Sequence, residues 1–205
     1  MEVMFIFSIA ILIMSVVAHE VAHAWSAELL GDPTPRLAGR LTLNPLRHLD
    51  LFGSLIVPLI TFFAGGIIFG WAKPVVWNPY NIRNARWGEG LIAFAGPLTN
   101  LLIALFFSLI IRFVAPLYPL PLSFIDISQY IILINITLAI FNLVPVPPLD
   151  GSKILFMLIP PHYQHVREMI ERYSMVLILI FIFVLWRFIT PVIPWLYKIF
   201  TGLSF

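Results

Sequence analysis

Long apolar segments constrain the fold of this chain more than any other feature. Residues 3–30, 87–114, 124–144 and 173–189 are each about long enough to cross the hydrocarbon core of a bilayer as a helix. The bilayer core offers no water to backbone polar groups, so only helices and closed barrels span it. The sequence therefore predicts an all-α polytopic membrane protein with about four to six membrane helices. We expect residues 1–205 to form a single integral membrane domain.

Composition excludes several other classes of protein. Of the 205 residues, 60% are hydrophobic and 11% are charged, whereas a soluble domain carries about 25% charged residues. The net charge of +2 is small and the basic residues lie in the connecting segments, which excludes a nucleic-acid binder. The chain has no cysteine, which excludes disulfides and thiolate metal sites.

The first apolar segment contains His19-Glu20-Val21-Ala22-His23. In a helix the two histidines fall on one face, about 6 Å apart along the axis, where they can hold one zinc ion. Glu20 is adjacent and can take a proton from a water molecule at the metal, which is the logic of the H-E-x-x-H pattern. Ionisable residues inside a membrane helix are costly unless they have a function. A wet, unliganded pair at the end of the helix is the alternative.

A catalytic zinc site usually has three protein ligands, so a third is needed. Asp150 is the preferred candidate, because it follows a proline-rich break in an apolar segment, where a carboxylate needs a cation as its partner. A cap of the following helix is the alternative role for Asp150. His48 and Asp50 are rival ligands, or groups that support the ligands.

The topology depends on residues 51–69, which are apolar but interrupted by Pro58 and Gly65-Gly66. If this segment dips into the membrane and returns, His19 and Asp150 lie at the same face; if it crosses, they lie at opposite faces. The re-entrant topology also gathers most basic residues at the face of the site. The positive-inside rule then predicts a multi-pass protein of the cell membrane with its site nearer the cytoplasmic face.

Three motifs together resemble those of a known family. They are H-E-x-x-H in the first span, Gly96-Pro97-x-x-Asn100 in a later span, and N-x-x-P-x-P-P-L-D-G from Asn142 to Gly151. This set resembles the site-2 proteases, which are intramembrane zinc metalloproteases, and it covers most of residues 15–155. Residues 44–50 and 70–74 look like those of a compact subgroup, and no segment is long enough for a PDZ or CBS domain.

The resemblance implies one Zn²⁺ per chain, bound by His19, His23 and Asp150. It implies that Glu20 is the catalytic base and that Asn142 helps to hold the substrate or the oxyanion. The implied activity is hydrolysis of a peptide bond within or near the transmembrane segment of a membrane protein substrate in the lipid bilayer. A membrane zinc carrier or sensor without protease activity is the alternative, and a proteolytically silent scaffold is a further one.

Two segments are expected to be extended, near residues 40–44 and 70–79. The second is rich in proline, glycine and β-branched residues. An extended strand there could pair with the opened backbone of a substrate, which makes Trp71, Lys73 and Val75 candidate substrate-binding residues. An ordinary turn is the alternative for this segment. For Gly96 and Asn100 we expect structural roles: Gly96 lets helices approach closely, and Asn100 bonds to the carbonyl freed by Pro97 or across helices.

Overall fold

The computed structural model describes residues 2–48, 50, 56 and 73–203, with side chains except at residues 2–5, 85, 86 and 161. Its α-helices are α1 (Glu2–Leu29), α2 (Thr34–Leu37), α3 (Ala85–Leu109), α4 (Leu122–Asn142), α5 (Asp150–Leu158), α6 (Gln164–Arg172), α7 (Ser174–Ile180), α8 (Trp186–Ile189) and α9 (Val192–Thr201). Short 3₁₀ turns cover Pro45–Arg47, Pro79–Asn81 and Pro161–Tyr163. Single π-helical turns follow α3 and α7, at Ile110–Val114 and Phe181–Leu185. The described part of the chain is therefore all-helical.

Among the described residues, three helices are long and apolar enough to cross a membrane, namely Ile6–Leu29, Trp87–Val114 and Leu122–Asn142. A fourth is added if Gln164–Arg172 and Ser174–Ile189, which meet at a bend of 66°, count as one broken span. This number agrees with the lower end of the expected range. The protein is an integral membrane protein built on helical spans.

Helices α1, α3 and α4 form the centre of the fold, with α3 antiparallel to its two neighbours. The amide of Arg83, just before α3, donates to the carbonyl of Leu30, just after α1, over 3.0 Å. The side chain of Asn84 accepts from the amide of Trp87 and caps the start of α3. The end of α1, the start of α3 and the end of α4 therefore lie at one face of the membrane.

The two described ends of the connection between α1 and α3 lie close together. The amide of Lys73 donates to the carbonyl of His48 over 2.9 Å, so the two described ends of this connection meet. The predicted re-entrant segment 51–69 lies outside the described residues except for Ile56. The meeting of its flanks fits the topology in which His19 and Asp150 share a face.

The expected extended segments contain no strand in the part of the chain that the structure describes. Residues 40–44 form a bend, and residues 73–78 are irregular until the 3₁₀ turn at Pro79. Asn44 and Asn78 have extended backbone, but each uses its side chain to cap the turn that follows it. Residues 73–78 are thus irregular, and no strand among the described residues lies beside them to pair with.

Asp32 joins the end of α1 to this irregular segment. Its fully buried carboxylate accepts hydrogen bonds from the amide and hydroxyl of Thr34, the amide of Asn78 and the side chain of Asn81. Burial alone would raise the pKa of Asp32, but these hydrogen bonds outweigh it and hold the pKa below its ordinary value. The ionised carboxylate therefore fixes residues 78–81 against the membrane helix that carries the histidines.

The C-terminal helix α9 lies at the opposite end of the bundle. Arg112, beyond the end of α3, donates to the carbonyl of Ile199 over 2.8 Å. Tyr197 is buried in an apolar cluster with Ile111 and Ile132. This contact places α9 at the face away from His19 and Asp150.

Candidate metal centre

Two side chains from α1 and one from α5 converge in the interior of the bundle. The Nε2 atoms of His19 and His23 lie 3.0 Å apart, and the Oδ2 atom of Asp150 lies 3.0 Å from the first and 3.2 Å from the second. All three residues are buried. Within the described residues, these three form the group of histidine and carboxylate side chains that could hold a metal ion, which we term the metal-competent group.

Asp150 is the first residue of α5, and its side chain does not cap that helix. Gly151 allows this placement, because a Cβ there would collide with the carbonyl oxygens of Leu143 and Val144 at the end of α4. The Oδ2 atom of Asp150 therefore faces both imidazoles, where a carboxylate can serve as a metal ligand.

On the side away from the metal centre, the Nδ1 atom of each histidine makes a hydrogen bond. These two bonds determine which ring nitrogen carries the proton and which presents a lone pair to the centre. Nδ1 of His23 lies 2.7 Å from the carbonyl of Ile92, which can only accept, so this nitrogen carries the proton. Nδ1 of His19 lies 2.6 Å from Oδ1 of Asn100, which is likewise an acceptor. In neutral imidazoles both Nε2 atoms are then unprotonated.

The chemistry of the three atoms fits a zinc ion. Two imidazole lone pairs and a carboxylate oxygen within 3.0–3.2 Å of one another repel unless a cation lies between them. Tetrahedral zinc with bonds of about 2.0–2.1 Å separates its ligand atoms by about 3.3 Å, close to the observed spacing. Three protein ligands also leave one position open, as catalytic zinc sites do.

A stripe on α3 lies directly against the histidine face of α1. It consists of Ile92, Gly96 and Asn100, spaced four residues apart and therefore on one face of the helix. A Cβ at Gly96 would lie 2.6 Å from Nε2 and Cε1 of His19 and from Cε1 of His23. Gly96 thus permits a close helix approach, as expected, and the groups that approach are the two imidazoles.

Asn100 contacts the candidate metal centre as well as packing between helices. Its side chain is fully buried; its oxygen faces His19 and its nitrogen donates to Asn135 over 2.8 Å and to the carbonyl of Ser15 over 3.3 Å. The sequence prediction of a hydrogen bond across helices is consistent with this, but the contact with His19 was missed. The signal was present in the i, i+4 spacing of Gly96 and Asn100.

Glu20 lies next to His19 on α1, and its Oε2 accepts a hydrogen bond of 2.9 Å from the amide of Val75. The irregular segment 73–78 therefore contacts the candidate base directly. Val75 itself is buried, and Lys73 bonds through its amide to His48. Trp71 lies outside the described residues.

Two residues that the sequence did not single out line the same region. The ring of Trp77 lies 6.3 Å from the ring of His23, measured between centroids. The Nζ atom of Lys153, one turn after Asp150, lies 3.9 Å from the centroid of Trp77. A cation stacked on an aromatic face thus borders the centre on the side of α5.

The other predicted residues lie elsewhere. His48 is buried, but its Nε2 bonds to the carbonyl of Thr42 over 2.8 Å, and neither it nor Asp50 belongs to the metal-competent group of the described residues. Asn142 is the last residue of α4, and its amide donates to the carbonyl of Leu138 in its own helix over 3.0 Å. A role for Asn142 at the site requires its side chain to leave that bond.

Comparison with known proteins places the chain in a family. The model of Peptidase family M50 matches residues 7–122 and 119–185. A relative from Bacillus subtilis strain 168, named "Putative zinc metalloprotease YwhC", is 36% identical over 185 residues, covering 88% of this chain and 78% of the relative. Another from Mycolicibacterium smegmatis, named "Putative zinc metalloprotease Rip2", is 29% identical over 203 residues, covering 98% and 76%. No solved structure matches the chain.

The family match and the names of the relatives agree with the chemistry of the centre. Zinc is the cofactor they indicate, and His19, His23 and Asp150 form a group able to bind it. The apolar helices agree with an integral membrane protein. The chain therefore belongs to peptidase family M50, the site-2 protease family of membrane metalloproteases.

Proposed function

We propose that this protein is an intramembrane endopeptidase that hydrolyses a peptide bond within or near the transmembrane segment of a membrane protein, in regulated intramembrane proteolysis. One observation carries the proposal: His19 and His23 on a membrane-spanning helix and Asp150 on α5 come together in a group that could hold a metal ion, with Glu20 adjacent to it. Both histidines lie within the apolar span Ile6–Leu29, so the chemistry takes place at membrane depth.

His19, His23 and Asp150 would hold the single zinc ion. Bound there, zinc would supply Lewis acidity, which lowers the pKa of water far below its ordinary value and polarises a carbonyl group. Glu20 takes a proton from the attacking water and passes it to the leaving amine. The hydrogen bond from Val75 limits the orientations of the Glu20 carboxylate, so the proposed base is held next to the metal-competent group.

Asn142 is proposed to donate a hydrogen bond to the developing oxyanion or to the substrate backbone. It lies eight residues before Asp150, at the point where α4 ends and the proline-rich segment begins. Rotation of its amide away from Leu138 would free the donor for this role.

Lys73 and Val75, with Trp71 before them, are proposed to receive the unwound substrate along the segment 73–78. A helix must open before its peptide bonds can be cleaved, and an extended partner can satisfy the exposed backbone. Proline at Val75 would also remove the hydrogen bond from its amide to Glu20. Val76→Pro is therefore the sharper test, because Val76 is exposed and its amide has no partner among the described residues. Cleavage should fall in Val76→Pro and persist in Val76→Ala; equal cleavage by both would reject strand addition.

The active site is proposed to lie nearer the cytoplasmic face of the cell membrane. Basic residues at the face of the site, counted by the ends of the helices, are Arg36, Arg40, Arg47, Lys73, Arg83, Arg86, Lys153, Arg167 and Arg172. The opposite face has Arg112, Arg187 and Lys198, of which the first contacts the C-terminal helix. This asymmetry supports the orientation through the positive-inside rule.

Glu20→Gln tests the proposal. The variant should retain about one zinc per purified chain, because Glu20 is not a ligand, and it should lose nearly all cleavage. Cells that express wild type or Glu20→Gln can be compared by mass spectrometry for new chain ends inside transmembrane segments. Such ends should occur only with wild type.

The zinc carrier is the alternative that this experiment separates. A carrier has no use for a base that is not a ligand, so Glu20→Gln would leave zinc uptake into reconstituted vesicles unchanged. Wild-type uptake of zinc together with the absence of new chain ends would reject the protease. A wild-type protein that folds but binds no zinc would favour the scaffold.

A further inference from the structure

Three polar side chains form a continuous chain inside the membrane bundle, behind the metal-competent group. Ser15 on α1, Asn100 on α3 and Asn135 on α4 are 5%, 0% and 0% exposed. Asn135 belongs to none of the motifs that the sequence singled out. Buried polar groups in membrane helices are costly and tend to mark functional positions.

Backbone carbonyls set the direction of the hydrogen bonds among these three side chains, because a carbonyl can only accept. The amide nitrogen of Asn135 donates to the carbonyl of Ile131 and to the hydroxyl oxygen of Ser15, each over 2.9 Å. Its oxygen therefore faces Asn100, whose nitrogen donates to it over 2.8 Å and to the carbonyl of Ser15 over 3.3 Å. Both protons of the Asn100 amide are thereby used.

The oxygen of Asn100 is left to face Nδ1 of His19, at 2.6 Å. An acceptor there requires the proton of the neutral imidazole on Nδ1, which leaves Nε2 unprotonated toward Asp150 and His23. We propose that Asn135, together with Ser15, is a positioning residue that acts through Asn100 to fix the tautomer and ring orientation of His19 for metal binding. This inference rests on the proposed function, since it takes His19 as a zinc ligand.

His23 provides a comparison within the same site. Its Nδ1 is held by the main-chain carbonyl of Ile92, which no substitution removes. The equivalent bond of His19 is made by a side chain that needs two further side chains to hold its orientation. The tautomer of His19 is therefore open to change by mutation far from the metal.

Packing alone does not account for this arrangement. Ser108 on α3 and Ser128 on α4 are also 0% exposed, and their hydroxyl oxygens have no hydrogen-bond partner among the described residues. These helices therefore pack around buried polar side chains without connecting them. The hydrogen bonds that run from Asn135 through Asn100 to His19 fix the proton position on this imidazole, and packing alone does not require that.

The test measures zinc binding and the tautomer separately. Full-length wild type, Asn135→Leu and the control Ser128→Ala are purified in detergent, stripped of zinc, and titrated with zinc against a fluorescent chelator of known affinity. Groups that hold a metal-ligating histidine typically contribute about 10- to 100-fold to metal affinity. Asn135→Leu should bind zinc about tenfold more weakly, whereas Ser128→Ala should match wild type.

Nitrogen NMR of the zinc-free proteins, with ¹⁵N-labelled histidine, gives the second readout. His19 should show the Nδ1-protonated form in wild type and a mixture of tautomers in Asn135→Leu. Unchanged zinc affinity and an unchanged tautomer in folded Asn135→Leu would overturn the inference. If that variant does not fold, Ser15→Ala removes one acceptor with little change in packing; it should show a smaller loss in the same direction, and wild-type values would overturn the inference.

His19→Ala separates this failure from failure of the proposed function. If His19→Ala binds zinc as tightly as wild type, His19 is not a ligand and the metal site itself is wrong. If His19→Ala loses zinc while Asn135→Leu keeps it at full affinity, the site stands and only the positioning role is rejected. Thermal unfolding of the zinc-free variants reports any purely structural effect.

Discussion

Gly96→Ala should disable the metal centre without replacing any of the three candidate ligands. An added Cβ would lie 2.6 Å from atoms of both imidazoles, whereas ordinary van der Waals contact begins at about 3.4 Å. The rings of His19 and His23 would then have to retreat by about 0.8 Å. Metal–ligand distances tolerate deviations of only about 0.2 Å, so the zinc geometry cannot absorb this shift.

The rings also have little freedom to move elsewhere. Nδ1 of His19 is bonded to Asn100 at 2.6 Å and Nδ1 of His23 to Ile92 at 2.7 Å, and a shift of that size breaks these bonds or moves the helices apart. We therefore expect zinc affinity to fall by at least about 100-fold, the upper end of the effect of losing a group that orients a ligand. Proteolysis should fall with it.

Zinc titration of the stripped, detergent-purified protein measures this effect. Gly88→Ala is the matched control, since it adds the same methyl group to the same helix but meets the side chain of Ile82, away from the metal-competent group. Both substitutions raise helix propensity by up to about 1 kcal/mol, so helix destabilisation cannot explain a loss. Wild-type zinc affinity and cleavage in Gly96→Ala would refute the reasoning about close approach.

Three further predictions concern other side chains. Asp150→Ala should lose its zinc and Asp50→Ala should keep about one per chain by elemental analysis; the reverse pattern would change the third ligand. Asp32→Asn should lower the melting temperature most at neutral pH. The folded pKa of Asp32 lies below its ordinary value of 3.8, so its stabilisation is complete above that value and is lost as the pH falls through the folded pKa. A melting-temperature difference that does not shrink in acid would contradict this. Asn142→Ala should lower kcat by about 10²–10³ with zinc content unchanged, and a wild-type kcat would remove it from the mechanism.

The helical spans and the meeting of His19, His23 and Asp150 could be predicted because each depends on a local cost. A long apolar segment must be helical in a bilayer, and a carboxylate at a broken span needs a cation. Neither argument requires knowledge of how the helices pack. The spacing of two histidines within one helix is likewise a local property.

The contacts of Asn100, Asn135 and Trp77 could not be predicted in the same way. They depend on the rotation and depth of α3 and α4 against α1, and the sequence does not encode that register locally. Asn100 lies 81 residues from His19 in the chain, so only the packed bundle brings them together.

The extended segments show a different limit. Proline, glycine and β-branched residues predict an open backbone near residues 73–78, but a strand also requires a partner with free backbone groups. In the described structure these residues instead bond to His48, Glu20 and Asp32.

The long separation between the residues of the metal-competent group has a consequence for the newly made chain. His19 and Asp150 are 131 positions apart, and the carboxylate follows the three long apolar helices of the described residues. At synthesis rates of about 5–20 residues per second, about 7–26 s pass between the two residues. During that interval the membrane holds a helix with both histidines and Glu20 but without the third candidate ligand. The growing chain can therefore bring its three candidate ligands together only after α1, α3 and α4 have all been made.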